Sequence, residues 1–205
     1  MRLIAFLVVL VLVAAGTVVT YAVVTGLDAR AQPGALETRI ARSVRRLAIP
    51  RLIRDRPNPV AASGDVLAEG MAHYADHCAS CHANDGSGHT ELGRGLFPKP
   101  PDMRLAATQQ LTDGELFYII EHGVRFTGMP GWSTGKPDGE TSTWHLVHVI
   151  RHLPQITEDE IQHMDTMTPR SPEEIRQQIE EEQFLRGADP APRQPSGHEH
   201  AGGHR

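Results

Sequence analysis

Cys78-Ala79-Ser80-Cys81-His82 combines two thiols, two short intervening residues and an imidazole in five consecutive positions. That spacing lets both sulfurs reach one edge of a macrocycle, with a nitrogen base following at once. It is the attachment signature of c-type haem, in which each thiol adds to a vinyl group and the His faces the iron as proximal ligand. Two other chemistries share the first four residues: a redox dithiol and half of a zinc site. The His that follows disfavours the dithiol. The zinc reading lacks its second half, because the chain has only two Cys.

The elements that must hold this motif are helical. Ser63 caps a helix that runs to about the motif, with Val66, Leu67, Met71, Tyr74 and Ala75 on one face. Asn84 to Gly88 is a loop. Phe97-Pro98-Lys99-Pro100-Pro101-Asp102 is extended or turned, because proline fixes φ and cannot donate. Thr112-x-x-Glu115 is a capping box opening a helix with Leu116, Phe117, Ile119, Ile120 and Val124. A loop from Gly131 to Ser142 leads to a helix from Trp144 to Leu153, with Trp144, Val147 and Ile150 on one side. Thr157-x-x-Glu160 opens a further short helix, and Ser171-Pro172 starts a polar one reaching about Arg186. No stretch of useful length has strand periodicity, so the fold class is all-α.

The flanks differ in character. Leu3 to Val24 is an uncharged apolar run, long enough to cross a bilayer as a helix. It is longer than a signal-peptide core, and Thr20-Tyr21-Ala22 is a poor cleavage site, which favours an uncleaved anchor. After it, Arg30, Arg39, Arg42, Arg45, Arg46, Arg51, Arg54 and Arg56 face only Asp28, Glu37 and Asp55. The positive-inside bias would put that segment in the cytoplasm, whereas haem attachment requires the opposite side. The chemistry takes precedence over the statistical rule. Leu36, Ile40, Val44 and Leu47 recur at helical spacing within Leu36 to Ile53, which fits an amphipathic helix on anionic headgroups, a solvated linker helix or a partner-docking face. Pro57-Asn58-Pro59 closes the segment. The parts are therefore an anchor (1–25), an Arg-rich linker or amphipathic helix (26–60), a haem domain (61–155), a helical extension (156–186) and a disordered His-rich tail (187–205). The net charge of −5 is too mild to argue for a nucleic-acid partner.

A helix entering C-x-x-C-H, a Pro-rich loop, a helix, Gly128-Met129-Pro130-Gly131-Trp132 and a closing helix with Trp144 follow one another in this order. The arrangement resembles the class I cytochrome c domain in its bacterial monohaem form, over roughly Ser63 to Pro154. The resemblance implies one covalent haem c, with Cys78 and Cys81 in thioethers and His82 and Met129 as axial ligands. Met103, beside the Pro-rich loop, is the best rival sulfur. It also implies that a proline carbonyl, from Pro98, Pro100 or Pro101, accepts a hydrogen bond from the proximal His. Tyr74 and Trp144 match two aromatics that pack across each other in the family.

With both axial positions filled, the implied function is single-electron transfer by outer-sphere contact, not enzymatic catalysis. The expected setting is a bacterial inner membrane, with the haem domain facing the periplasm between a redox donor and an acceptor. Two alternatives stay open: a haem subunit of a larger oxidoreductase such as a respiratory complex, and a haem-based sensor or enzyme with a labile Met ligand. Among other His residues, His77 is expected to be solvated near the haem edge. His145, His148 and His152 form an exposed polar helix face, and His198, His200 and His204 make at most a weak metal-binding tail. Arg94, Lys99 and Lys136 are the cations near the expected haem edge.

Overall fold

Apolar continuity decides the first element. In the computed structural model, α1 spans Arg2–Thr25, is long and apolar enough to cross a membrane, and is exposed at every position whose burial is described. The structure describes residues 1–25, 28–170 and 172–186. The tail from 187 onward, with its three His residues, lies outside them. Every regular element among the described residues is helical.

The Arg-rich segment forms two helices rather than one. α2 (Ala35–Ala48) ends before Ile49, which is extended and 3% exposed, and α3 (Arg51–Arg54) restarts after Pro50. A proline following a buried residue breaks the register that the sequence periodicity carried through to Ile53. α3 packs on the haem domain: Thr112 Oγ1 donates to the Arg54 carbonyl at 2.5 Å. Downstream, Asn58 Nδ2 donates to the Trp144 carbonyl at 3.0 Å, and the Arg56 guanidinium lies over the Phe117 and Trp144 rings. Residues 49–60, expected in the linker, thus pack against the domain.

α4 (Gly64–His77) starts as the sequence predicts, with Ser63 Oγ accepting from the Val66 N–H at 3.2 Å. It runs almost directly into α5 (Ala79–His82), a single turn carrying the haem motif. Two short helices not anticipated from periodicity follow: α6 (Glu91–Arg94), capped by Thr90, and α7 (Ala106–Gln109). One turn is too short to show a periodic stripe. α8 (Asp113–His122) opens on the expected reciprocal box, Thr112 Oγ1 with the Glu115 N–H and Glu115 Oε2 with the Thr112 N–H. α9 (Pro137–His152) begins earlier than predicted. Pro137 in its first turn and Asp138 and Glu140 near its N-terminus suit a helix start within what reads as a loop.

The core forms where α9 packs against α4 and α8. Trp144, Val147 and Ile150 are buried as expected, and Leu146 and Val149 join them, so α9 is covered on two faces. Trp144 stacks on Phe117, with ring centroids 4.2 Å apart and planes 14° apart. Tyr74 and Trp144 are both buried in this one core, as expected. α10 (Glu158–Asp165), also opened by a capping box at Thr157, packs on α4 and buries Met164 completely. Residues 1–168 form one unit; the second contains α11 (Pro172–Leu185), a polar helix.

Gly70 marks the α4–α9 crossing. A Cβ there would meet Val149 Cγ2 at 2.7 Å and the His145 carbonyl oxygen at 2.8 Å. Since a backbone carbonyl cannot swing aside as a side chain can, Gly70→Ala should destabilise the fold by about 1–3 kcal/mol and Gly70→Val by more. Denaturant midpoints of the holoprotein measure this, and an unchanged midpoint for Gly70→Val would refute the close crossing.

Candidate haem site

The site begins with the helix turn at Cys78. The Cys78 N–H donates to the Tyr74 carbonyl at 2.8 Å, and the His82 N–H donates to the Cys78 carbonyl at 2.9 Å. These bonds continue the screw of α4 through the motif, so Cys78 and His82 fall one turn apart. Ala83 then leaves the helix at φ 60°, a left-handed conformation that a non-glycine residue adopts only when its surroundings hold it there. Tyr74 Oη donates to the Ala83 carbonyl at 3.1 Å, and Asn84 Nδ2 donates to Asp165 Oδ1 and Thr168 Oγ1 at 2.6 and 2.8 Å. The chain leaving the motif is thereby pinned on both sides. Sequence reading missed these contacts, because they join residues far apart in the chain.

Cys78 and His82 lie on the wall of a small apolar cavity. Tyr74, Met103, Ile120, Met129, Trp132, Leu146 and Ile150 complete its lining. The structure therefore brings together three of the four predicted site residues, Cys78, His82 and Met129. Cys81 is half-buried and does not line the cavity; its carbonyl accepts from Thr90 Oγ1 at 3.3 Å. The rival sulfur, Met103, also reaches the cavity. Met103 belongs to the hydrophobic core and is 6% exposed, whereas Met129 is half-buried on a loop outside that core.

The Met129 loop is fastened to the end of α8. Val124 N–H donates to the Met129 carbonyl at 3.1 Å, and the N–H groups of Trp132 and Ser133 donate to the carbonyls of Ile120 and Glu121. Gly123 makes this possible. Its φ is +66°, and a Cβ there would sit 2.5 Å from the Pro130 carbonyl carbon and 2.6 Å from the Met129 oxygen. Gly128 instead meets the Leu96 side chain, whereas Gly131, on the loop itself, meets the Glu121 carbonyl oxygen at 2.9 Å, so Gly123 and Gly131 together admit the loop backbone. Below the loop, Thr143 Oγ1 donates to the buried Glu121 carboxylate at 2.6 Å.

The electrostatics suit a neutral, soft ligand set. Burial pushes the His82 imidazole down to about 4, so it is uncharged at neutral pH and has a lone pair to offer a metal. Its Nδ1 is buried and makes no hydrogen bond; neither Pro98, Pro100 nor Pro101 accepts from it. Burial, with Cys81 adding to it, pushes the Cys78 thiol up to about 12. It is well placed as an uncharged thioether. An apolar cavity wall, a neutral imidazole and two uncharged sulfurs thus fit a covalent haem.

The family model for cytochrome c oxidase, cbb3-type, subunit III matches residues 65–148. This segment is a class I c-type cytochrome domain. The match takes in the motif, the Met129 loop and most of α9. None of the curated proteins matches the chain. A cytochrome c domain implies covalently bound haem c and one-electron transfer. Its haem-motif end is closed by α10, which lies beyond the matched residues.

Other predicted residues take quieter roles. His77 is 42% exposed, lies against the Trp132 ring edge, and is 3.0 Å from Asp76. The expected exposed face of His145, His148 and His152 is instead half-buried and partnered. His148 Nε2 donates to the Val60 carbonyl at 2.8 Å, His152 lies 2.9 Å from Glu160, and His145 lies 3.3 Å from Glu69. Lys99 is not a free edge charge, since it donates to the carbonyls of Arg30 and Arg94.

Arg104 ties the loop beyond the motif, donating to both Asp102 carboxylate oxygens and to Asp85 Oδ2 at 2.8–2.9 Å. Its guanidinium holds the Asp102 carboxyl below the usual range, outweighing an opposite effect of burial. A carboxylate with a depressed native pKa adds stability at neutral pH that is lost as pH falls through that lowered value. Asp102→Asn should therefore lower the denaturation midpoint at neutral pH and flatten its decline on acidification. Parallel pH slopes for the two proteins would contradict the assignment.

Proposed function

We propose that the protein is a membrane-anchored electron carrier whose haem iron is held between His82 and Met129. The observation that supports this most strongly is the convergence of Cys78, His82 and Met129 on one apolar cavity. The haem supplies a one-electron ferric–ferrous couple there. His82 offers a neutral nitrogen from α5, and Met129 offers a neutral thioether from the loop after α8. The soft sulfur favours the reduced metal and raises the potential. Tyr74, Ile120, Trp132, Leu146 and Ile150 keep water away. Two filled axial positions leave no coordination site for substrate, which supports a carrier rather than an enzyme or gas sensor. α1 anchors the carrier in a bacterial inner membrane, with the haem domain on the periplasmic side where attachment takes place.

Met129→Ala should abolish the sulfur–iron charge-transfer band of the ferric protein. It should also lower the potential by a sizeable part of the ~0.8 V range that axial ligands span. Met103→Leu should leave both unchanged. The reverse outcome would make Met103 the ligand, and no change in either variant would remove sulfur ligation altogether.

A second reading is favoured by the matched family's name, which is that of an oxidase subunit. In it, the domain relays electrons inside a stable assembly. Purification in mild detergent separates the two: a mobile carrier runs alone, and a subunit brings its assembly with it.

A further inference from the structure

We propose that α2 is a membrane-surface helix that rests on anionic phospholipid headgroups and fixes the attitude of the haem domain towards the bilayer. This rests on the reading of α1 as an anchor. Leu36, Ile40, Val44 and Leu47 form one stripe at helical spacing, and they are 72, 56, 59 and 84% exposed. No residue of α2 is buried. The opposite side faces the domain. Arg46 Nε lies 3.7 Å from Glu115 Oε1, and Arg45 is half-buried. Burial, then Arg42, lowers the Arg45 guanidinium from its ordinary value, with Glu115 opposing. The apolar stripe is thus turned outward.

Bilayer, rather than another protein, is the occupant the surroundings favour. Residues 26–34 separate α1 from α2, and a chain of that length reaches at most about 30 Å when extended. The Arg30 carbonyl accepts from Lys99, which draws this connection against the domain. Arg39 is exposed and flanks the apolar stripe, where a long side chain reaches phosphates while the stripe enters the acyl boundary, and Arg42 is exposed on the side away from the stripe. Basic residues next to a span are attracted to anionic lipid. The helix is not a loose appendage. Ile49 is buried, and a Cβ on Gly114 would fall 1.8 Å from the Ile53 carbonyl, so α3 and α8 are in backbone contact just after α2. The arginines that contradict the positive-inside rule then have a partner on the same side of the membrane as the haem.

The test uses the full-length holoprotein in nanodiscs of phosphatidylcholine alone or with phosphatidylglycerol. With Cys78 and Cys81 in thioethers, one introduced Cys is uniquely reactive and takes a nitroxide label. Labels at Ile40→Cys and Leu47→Cys should be more accessible to oxygen than to a water-soluble nickel chelate in the anionic discs, and a label at Arg42→Cys should show the reverse. Arg39→Glu with Arg42→Glu should return positions 40 and 47 to nickel accessibility, with the haem absorption spectrum unchanged. Equal nickel accessibility at 40, 42 and 47 in both discs would overturn the proposal in favour of a solvated helix. Shielding of 40 and 47 from both reagents would overturn it in favour of a protein contact. Equal depth in both discs would remove the anionic selectivity. A label at Leu12→Cys separates the premises: nickel accessibility there sinks the anchor itself, whereas oxygen accessibility there with 40 and 47 in water sinks only the role of α2.

Discussion

An imidazole that must stay neutral inside an apolar cavity is the constraint from which the other features of the domain follow. His82 is held there by a single helical turn that continues α4 through the two cysteines. Removing that ring from water costs free energy unless it stays uncharged and finds a partner. Burial supplies the first condition, and the proposed iron ligation would supply the second. The walls opposite come from α8, α9 and the Met129 loop, so the cavity exists only while the α4–α9 crossing is closed. Gly70 at that crossing and Gly123 under the loop are two places where backbones meet too closely for a Cβ. Packing and redox chemistry are therefore one problem in this domain. The interior is completed by the haem c that a cytochrome c domain implies.

The motif was readable from sequence because its chemistry is local. Five adjacent residues specify the attachment, and capping boxes at Thr112 and Thr157 specify helix starts within a few positions. What escaped reading was long-range. Nothing local shows that Thr112 would take the Arg54 carbonyl, or that Asn84 would reach Asp165 and Thr168. The histidines of α9 looked like a solvated face because Val60, Glu69 and Glu160, their partners, lie elsewhere in the chain. The break at Ile49–Pro50 was legible as a proline, but the burial of Ile49 that accompanies it was not. Met103 and Met129 could be ranked by motif, yet both sulfurs reach the cavity, and separation of their roles rests on core membership.

The flanks give the domain its context. The family match ends at residue 148, while packing continues to 168 and begins by 49. α10 and the 49–60 segment brace opposite ends of the same small core, and the Arg-rich helix precedes that brace directly. Their placement also puts the apolar α1 and the Arg-rich α2 immediately before the braced domain in the chain.

The central claim is that one protein sulfur and the His82 nitrogen complete the coordination of a covalent haem. Iron K-edge X-ray absorption on ferric holoprotein carrying Met103→Leu tests it most directly, because Met129 is then the one cavity methionine left. The account predicts a first shell of nitrogen scatterers plus one sulfur, lost on adding Met129→Ala. A shell of nitrogen and oxygen alone in the Met103→Leu protein would contradict it.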